Sequence, residues 1–519
     1  MFSGAGKALI HQEEDFISQY LACRQCGLYT GTVNPEYDVI VIGAGVVGAA
    51  IARELSRFHL RTAILEKEID VSFGTSKANS GIIHAGFHAD PNTLKGALCA
   101  AGNRMFDRLS QELHFPFKRR GELMVAFTEE ELRVLHFYYE RGQRNKVPAL
   151  ELFGRERTLE MEPHLNPDIM GSLFAPTAGI ICPYEYCFAL VENAQANGVS
   201  LFTGKQVVRI RKKGSFFEIE SADDDVFFTR YIVNAAGLFA DEVAGLAGLN
   251  SFSIHPRKGE EYLLDRRVNT LVHHVIFPCP TPTSKGMLVI PTVDGPVMVG
   301  PTAEDIQDKT DFSTSRQGLR QVFDHARKMI PAIRATDAIT SFAGLRPAVE
   351  GNDFIIGTTE VAGFINAAGI QSPGLTASPA IAERIRDALH AQGLELHADA
   401  AFIAERRPKV QRIRPLVEAR DYKSLNSLIE DNPAYGHLVC RCENVTEAEV
   451  VDTIQRGHTT LDGIKFACRA GTGRCQGGFC TARILDILHR ETGIPRETVT
   501  KKGRGSEIIP LRRFPEDAS

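Results

Sequence analysis

The 519-residue sequence predicts an α/β fold with a small helical, cysteine-rich module behind it, and three observations carry that expectation. The first is Asp38-Val-Ile-Val-Ile-Gly43-Ala-Gly45-Val-Val-Gly48, a β-branched run that meets three spaced glycines and then a helical pattern. The second is Thr62-Ala-Ile-Leu65, ending in Glu66, 18 residues after Gly48. The third is the crowding of Cys440, Cys442, Cys475 and Cys480.

The first two observations describe a Rossmann-like nucleotide-binding turn. Val39 to Ile42 has the continuous apolar character of a strand buried on both faces of a parallel sheet. Gly43 permits the tight turn, Gly45 lets backbone approach a pyrophosphate, and Gly48 lets the helix lie close on the strand. The helix N-terminus then offers unpaired N–H groups and a positive dipole end to phosphates. Glu66 stands where an acid would hold ribose hydroxyls.

The chain is long enough for two to four domains. Its net charge of -5 argues against a nucleic-acid surface. No apolar run reaches the length of a transmembrane segment, which leaves only peripheral membrane association open. The N-terminus resembles neither a secretory signal nor a transit peptide, so a cytoplasmic location is expected. Residues 1–36 form an extension containing Cys23-Arg-Gln-Cys26. A closed tetrahedral metal site needs four ligands, and no second pair stands nearby, so these thiols are expected to be incidental.

Further along lies Gly74-Thr75-Ser76-Lys-Ala-Asn79-Ser80-Gly-Ile-Ile-His84, rich in small and hydroxyl residues as befits backbone wrapped around a ligand. An imidazole is a side chain that can take a hydroxyl proton, although a lone histidine is also a common satisfied loop residue. Val233-Asn-Ala-Ala236-Gly237, Arg257-Lys258-Gly-Glu260, Phe342-Ala-Gly-Leu-Arg346-Pro347 and Gly369-Ile370-Gln-Ser372-Pro-Gly374-Leu375-Thr376 follow. Over about residues 37–395 these stretches, in this order, resemble the D-amino-acid-oxidase-like family of FAD oxidoreductases. The resemblance is nearest to FAD-dependent glycerol-3-phosphate dehydrogenases and oxidases, and to L-2-hydroxyglutarate dehydrogenases.

The resemblance implies an FAD-dependent oxidoreductase domain over residues 37–398. In it, the FAD-binding part is split around a mixed-sheet substrate domain at about 88–180 and 255–345. Within the second stretch, Met287 to Gly300 has the pattern of a hairpin turning at Asp294-Gly295. By resemblance, Gly43, Gly45 and Gly48 cradle the pyrophosphate and Glu66 binds the ribose. Thr75, Ser76, Asn79 and Ser80 flank the flavin, Val207 meets the adenine, and Ala236 and Gly237 close the adenosine end. Gly369, Ile370, Gly374, Leu375 and Thr376 reach the isoalloxazine.

Flavin oxidation of an alcohol requires a base, an anion clamp and orientation. His84 is the expected base. Arg346 has a rigid fork suited to a phosphate or carboxylate. Lys258 would add a second positive charge, and Ser372 would hydrogen-bond substrate or simply serve a helix start. This set does not choose between glycerol 3-phosphate and 2-hydroxyglutarate, both small anions. The two-module organisation favours oxidation of glycerol 3-phosphate to dihydroxyacetone phosphate.

From about residue 399 to 434 the composition turns charged and irregular, as in a linker. The segment 435–500 then carries Cys440-Arg-Cys442 and Cys475-Gln-Gly-Gly-Phe-Cys480, with a capping-box helix start at Thr446 and Glu449. A second helix is expected from Thr481 to about His489, and residues 501–519 form a tail. Four thiolates at helix starts can hold zinc or a 2Fe-2S cluster. The segment resembles the bacterioferritin-associated-ferredoxin-like 2Fe-2S domain, which favours iron and sulfur. Cys468 departs from that pattern. Two redox centres imply a dehydrogenase that hands electrons to a protein or quinone acceptor. The competing class is a non-catalytic redox sensor or scaffold.

Overall fold

The structure, a computed structural model, describes residues 35–280, 286–406, 408 and 410–509. The Cys23 and Cys26 pair lies outside the described residues. The nucleotide side is set by β1 (Tyr37–Ile42), α1 (Val46–Leu55) and β2 (Thr62–Leu65). Later segments supply β3 (Glu122–Ala126), β4 (Val226–Asn234), β5 (His255–Leu264), β6 (Ala338–Ala348) and β7 (Phe364–Ala368). Helix α2 (Gly374–Ala391) follows β7. The C-terminal module holds α3 (Glu447–Gln455), α4 (Leu461–Cys468) and α5 (Thr481–Thr492).

Parallel strands form the centre of the first sheet in the order Ser200–Phe202, β2, β1, β4, β7. Val39, Ile40 and Val41 are fully buried, because helices cover one face of this sheet and apolar strands and loops the other. α1 and α2 pack on each other over β1, which aligns both helix N-termini towards the same end of the sheet.

The second sheet is mixed and nine-stranded. β5 and β6 pair antiparallel from His255 opposite Ala348 to Leu264 opposite Ala338. Leu288–Pro291 and Val297–Gly300 form the expected hairpin, with Asp294 and Gly295 in its connection. β3 lies inside this sheet, between Val275–Pro278 and Gly171–Ala175. Of the stretch 88–180, only β3, Glu151–Gly154 and Gly171–Ala175 join the sheet. Its opening helices, Leu94–Asn103 and Phe106–Leu113, bury Leu98, Phe106, Leu109 and Leu113 in the core of the first sheet instead.

The stretch expected to be an irregular linker carries two helices, Arg414–Ala419 and Tyr422–Asp431. Leu425, Leu428 and Ile429 of the second pack with Ile413, Tyr435 and Ala448. Such spacing is helical, but the surrounding charge obscures it. In the module itself, α3 begins with the capping box: Glu449 Oε2 accepts the Thr446 N–H at 2.9 Å. α5 runs to Thr492, past the expected end, where the Thr492 hydroxyl donates to the Leu488 carbonyl and Gly493, in the left-handed region, closes the helix.

Candidate active site and cysteine centre

A cavity of about 2090 Å³ is lined by both sheets and by the C-terminal module. A pocket for one small ligand measures about 300–1,000 Å³, so this space accommodates an extended cofactor with substrate beside it. Gly43, Gly45, Glu66, Thr75, Ser76, Asn79, Ser80 and His84 line it, as do Val207, Ala236, Gly237, Arg346, Ile370, Ser372, Gly374 and Leu375. Gly48, Lys258, Gly369 and Thr376 are not among the lining residues.

Each of these four has a physical reason. Gly48 works behind the turn: a Cβ there would stand 2.0 Å from the Gly43 carbonyl oxygen. Gly369 backs onto the Val349 side chain. Thr376 is fully buried, and its hydroxyl accepts the His84 N–H at 3.0 Å while donating to the Ile82 carbonyl at 3.3 Å. It positions the histidine loop rather than reaching the cavity. Lys258, expected beside the substrate anion, does not line the cavity. Successive β5 residues face opposite sides, so Arg257, Gly259 and Glu261 line the cavity while Lys258 Nζ pairs with Asp311 Oδ2 at 2.8 Å. Of these two neighbouring cations it is Arg257 that faces the cavity, held by Asp305 through two bonds of 2.6 and 3.0 Å.

At the nucleotide end, Glu66 is buried, and its carboxylate accepts the N–H groups of Ala44 at 2.6 Å and Glu68 at 2.9 Å. Burial still raises its pKa above the ordinary value. Ser76 Oγ accepts the Val46 N–H at the start of α1. Thr75 donates to the Leu345 carbonyl at 2.7 Å, which ties this loop to β6. Asn79 bridges Ser76 and Gly81. These side chains shape the loop, leaving its backbone and small surfaces to the ligand.

At the other end, His84 Nε2 lies 3.5 Å from Ser372 Oγ. Its Nδ1 is 3.5 Å from Glu122 Oε2, and His88 Nε2 is 3.6 Å from the same oxygen. Burial pushes Glu122 up, but the two imidazoles outweigh it and hold the carboxyl down at about 2. Arg346 Nη2 donates to the Thr302 carbonyl at 2.5 Å, and burial lowers its pKa against the nearby Glu261 charge. Glu261 accepts from Ser80 Oγ at 3.0 Å, and burial raises it to about 7 despite that bond and Arg346.

Sequence reasoning missed Glu122, His88, Arg257 and Glu261. Glu122 had a signal, an acid inside the apolar strand Gly121-Glu-Leu-Met-Val-Ala. A depressed carboxylate pKa stabilises the fold above the ordinary value and ceases to do so as pH falls through the depressed one. Wild type is therefore expected to lose stability relative to Glu122→Gln between about pH 5 and pH 2. At neutral pH, Glu122→Gln leaves the His84 imidazolium without its facing carboxylate and is expected to slow substrate-driven flavin reduction by part of the ~10²–10⁴-fold that a positioned general base contributes. Thermal melts across pH and stopped-flow absorbance check the two parts.

In the C-terminal module, Cys442 and Cys475 Sγ atoms lie 3.6 Å apart. A tetrahedral centre with metal–sulfur bonds of about 2.3 Å spaces its sulfurs about 3.8 Å apart, so this pair suits one metal ion. Cys440 and Cys480 also pair. Mainly through the Cys480 hydrogen bond, with burial opposing and the backbone N–H groups of Gly471, Glu443 and Cys442 assisting, Cys440 is drawn down to about 6. A Cβ on Gly473 would stand 2.3 Å from Cys442 Cβ, so the loop closes tightly on the thiols. Cys468 is buried in the module core, donates to the Ile464 carbonyl and is pushed up to about 11 by burial.

Arg469 joins the two centres. It lines the cavity, and its buried guanidinium bonds Asp294 at 2.6 Å, Glu443 at 3.0 Å and Tyr184 at 3.1 Å. Glu443 follows Cys442 directly, so one ion pair separates a cysteine loop from the cavity wall.

A two-helix nucleotide cradle, a buried histidine–carboxylate pair and four gathered thiols are the parts of a dinucleotide-dependent redox enzyme with a thiolate metal centre. The chain belongs to the FAD dependent oxidoreductase family, whose model matches residues 38–388, and residues 438–490 match the BFD-like 2Fe-2S binding domain. A glycerol 3-phosphate dehydrogenase of Caloramator mitchellensis is 45% identical over 476 residues, covering 91% of this chain and 98% of its own. A glycerol 3-phosphate oxidase of Mycoplasma genitalium is 34% identical, covering 68% of this chain and 94% of its own. Among solved structures, the dithionite-reduced L-α-glycerophosphate oxidase of Mycoplasma pneumoniae with FAD bound aligns with a TM-score of 0.68 and 30% identity. It covers 72% of this chain and 99% of its own. FAD is thus the cofactor of the large domain and a 2Fe-2S cluster that of the small one. No described helix is long and apolar enough to cross a membrane.

Proposed function

We propose that the chain is a dehydrogenase that oxidises glycerol 3-phosphate to dihydroxyacetone phosphate. The carrying observation is the joint placement of His84, Ser372 and Arg346 on one cavity wall system, with His84 Nε2 and Ser372 Oγ 3.5 Å apart. His84 Nε2 accepts the substrate hydroxyl proton, and the Glu122 carboxylate balances the resulting imidazolium. Ser372 orients the hydroxyl. Arg346, with Arg257 beside it in the lining, holds the phosphate as a charge-assisted fork. When bound, FAD supplies the hydride acceptor and the 2Fe-2S cluster a one-electron outlet towards an external protein or quinone. The relative that spans both modules at 45% identity supports this substrate.

A single-turnover assay tests the reading: one dihydroxyacetone phosphate is expected per flavin reduced, and substrate consumed without that product contradicts it. The electron route has its own test. Cys475→Ser is expected to retain flavin reduction within about twofold and to lose acceptor reduction by about 10-fold or more, since a missing ligand opens the cluster. Unchanged reduction of both after loss of the cluster eliminates the route.

A further inference from the structure

His84 Nδ1, His88 Nε2 and Glu122 Oε2 all lie within 4.8 Å of one another. The contacts of Glu122 Oε2 with the two nitrogens measure 3.5 and 3.6 Å. An N–H···O bond spans about 2.7–3.2 Å, so both are long for hydrogen bonds. A tetrahedral zinc site with ligand bonds of about 2.0–2.2 Å spaces its nitrogen and oxygen ligands about 3.3–3.6 Å apart. The two contacts of Glu122 lie near that spacing, and the two nitrogens lie within 4.8 Å of each other. Glu122 is fully buried, and neither its Oε2 nor His84 Nδ1 makes a hydrogen bond.

We propose that these three side chains form a zinc-class cation site, with its fourth position open towards the cavity. Two imidazoles with one carboxylate suit zinc far better than magnesium or calcium, which take oxygen ligands. The ligands are already held in place. The His84 backbone is fixed by Thr376 and by Asn103, whose side chain donates to the His84 carbonyl at 2.8 Å. The His88 ring stacks on Phe87 with centroids 4.1 Å apart and lies 4.7 Å from Phe277. β3 carries Glu122 beneath both rings. Little ordering therefore remains for a metal to impose. The site is separate from the four thiols, none of which lines the cavity.

Zinc on Nδ1 occupies that nitrogen's lone pair, so the single proton of the neutral ring moves to Nε2, which then has no lone pair with which to accept the hydroxyl proton. Bound zinc thus acts as an inhibitor; this consequence, unlike the binding itself, rests on the reading of His84 as the base.

The test uses holoenzyme with FAD and cluster in place, freed of loose metal and equilibrated with buffered zinc. Bound zinc per chain and anaerobic flavin reduction are compared for wild type, His88→Gln and Glu122→Gln, each checked for FAD content. The cysteine centre is common to all three proteins and cancels. Wild type is expected to hold one zinc more per chain than either variant. Zinc is expected to slow flavin reduction at least 10-fold in wild type at concentrations that leave the His88→Gln rate unaltered. Equal zinc in all three proteins overturns the site. An extra zinc in wild type with no effect on its rate upholds the site and instead removes His84 from the role of base.

Discussion

His84→Gln lowers the rate of flavin reduction by substrate on the order of 10²-fold or more. Glutamine keeps the size and can still hydrogen-bond Ser372, but it cannot accept the hydroxyl proton. The Glu122 carboxylate, held ionised by the two imidazoles, loses one of its two balancing partners in this variant. The His84 backbone bonds to Thr376 and Asn103 do not depend on the imidazole, so the loop and FAD content are expected to persist. Stopped-flow absorbance reads the loss. A near-normal rate in protein with full FAD assigns the histidine to structure.

Gly48→Ala is expected to yield protein without FAD. The added Cβ would meet the Gly43 carbonyl oxygen at 2.0 Å and its carbonyl carbon at 3.1 Å. Both belong to backbone, which cannot swing aside as a flexible side chain can. Either α1 lifts from β1 or the pyrophosphate turn opens, and overpacking of this kind costs about 1–3 kcal/mol even where the core yields. Because the same turn presents its N–H groups to the phosphates, the cost falls on cofactor binding. The ratio of flavin to protein absorbance after purification measures it, and full FAD content contradicts the assignment.

What was legible in the sequence was local. The β1 turn, Glu66 at the end of β2, the hairpin around Asp294 and the Thr446 capping box each depend on residues close in the chain. What was not legible depended on distant pairing. Arg257 and Lys258 are neighbours, and only the packing of β5 decides that the first lines the cavity while the second turns to Asp311. Glu122 gains meaning only when β3 passes against a loop much earlier in the chain, where His84 and His88 wait. Thr376 and Gly369 occupy the expected turn but serve it from behind, through contacts with the His84 N–H and Val349. The helices at Arg414–Ala419 and Tyr422–Asp431 were hidden by charge, because Arg412, Arg414 and Glu418 belong to ion pairs with other segments.

The roles given to His84, Ser372 and Arg346 all depend on oxidation of glycerol 3-phosphate at a flavin in this cavity. Anaerobic titration of the holoenzyme, with glycerol 3-phosphate and L-2-hydroxyglutarate added side by side, tests it most directly. Bleaching of the flavin absorbance by glycerol 3-phosphate, with little change on L-2-hydroxyglutarate, is the expected result. Bleaching by L-2-hydroxyglutarate alone, or by neither compound, contradicts it.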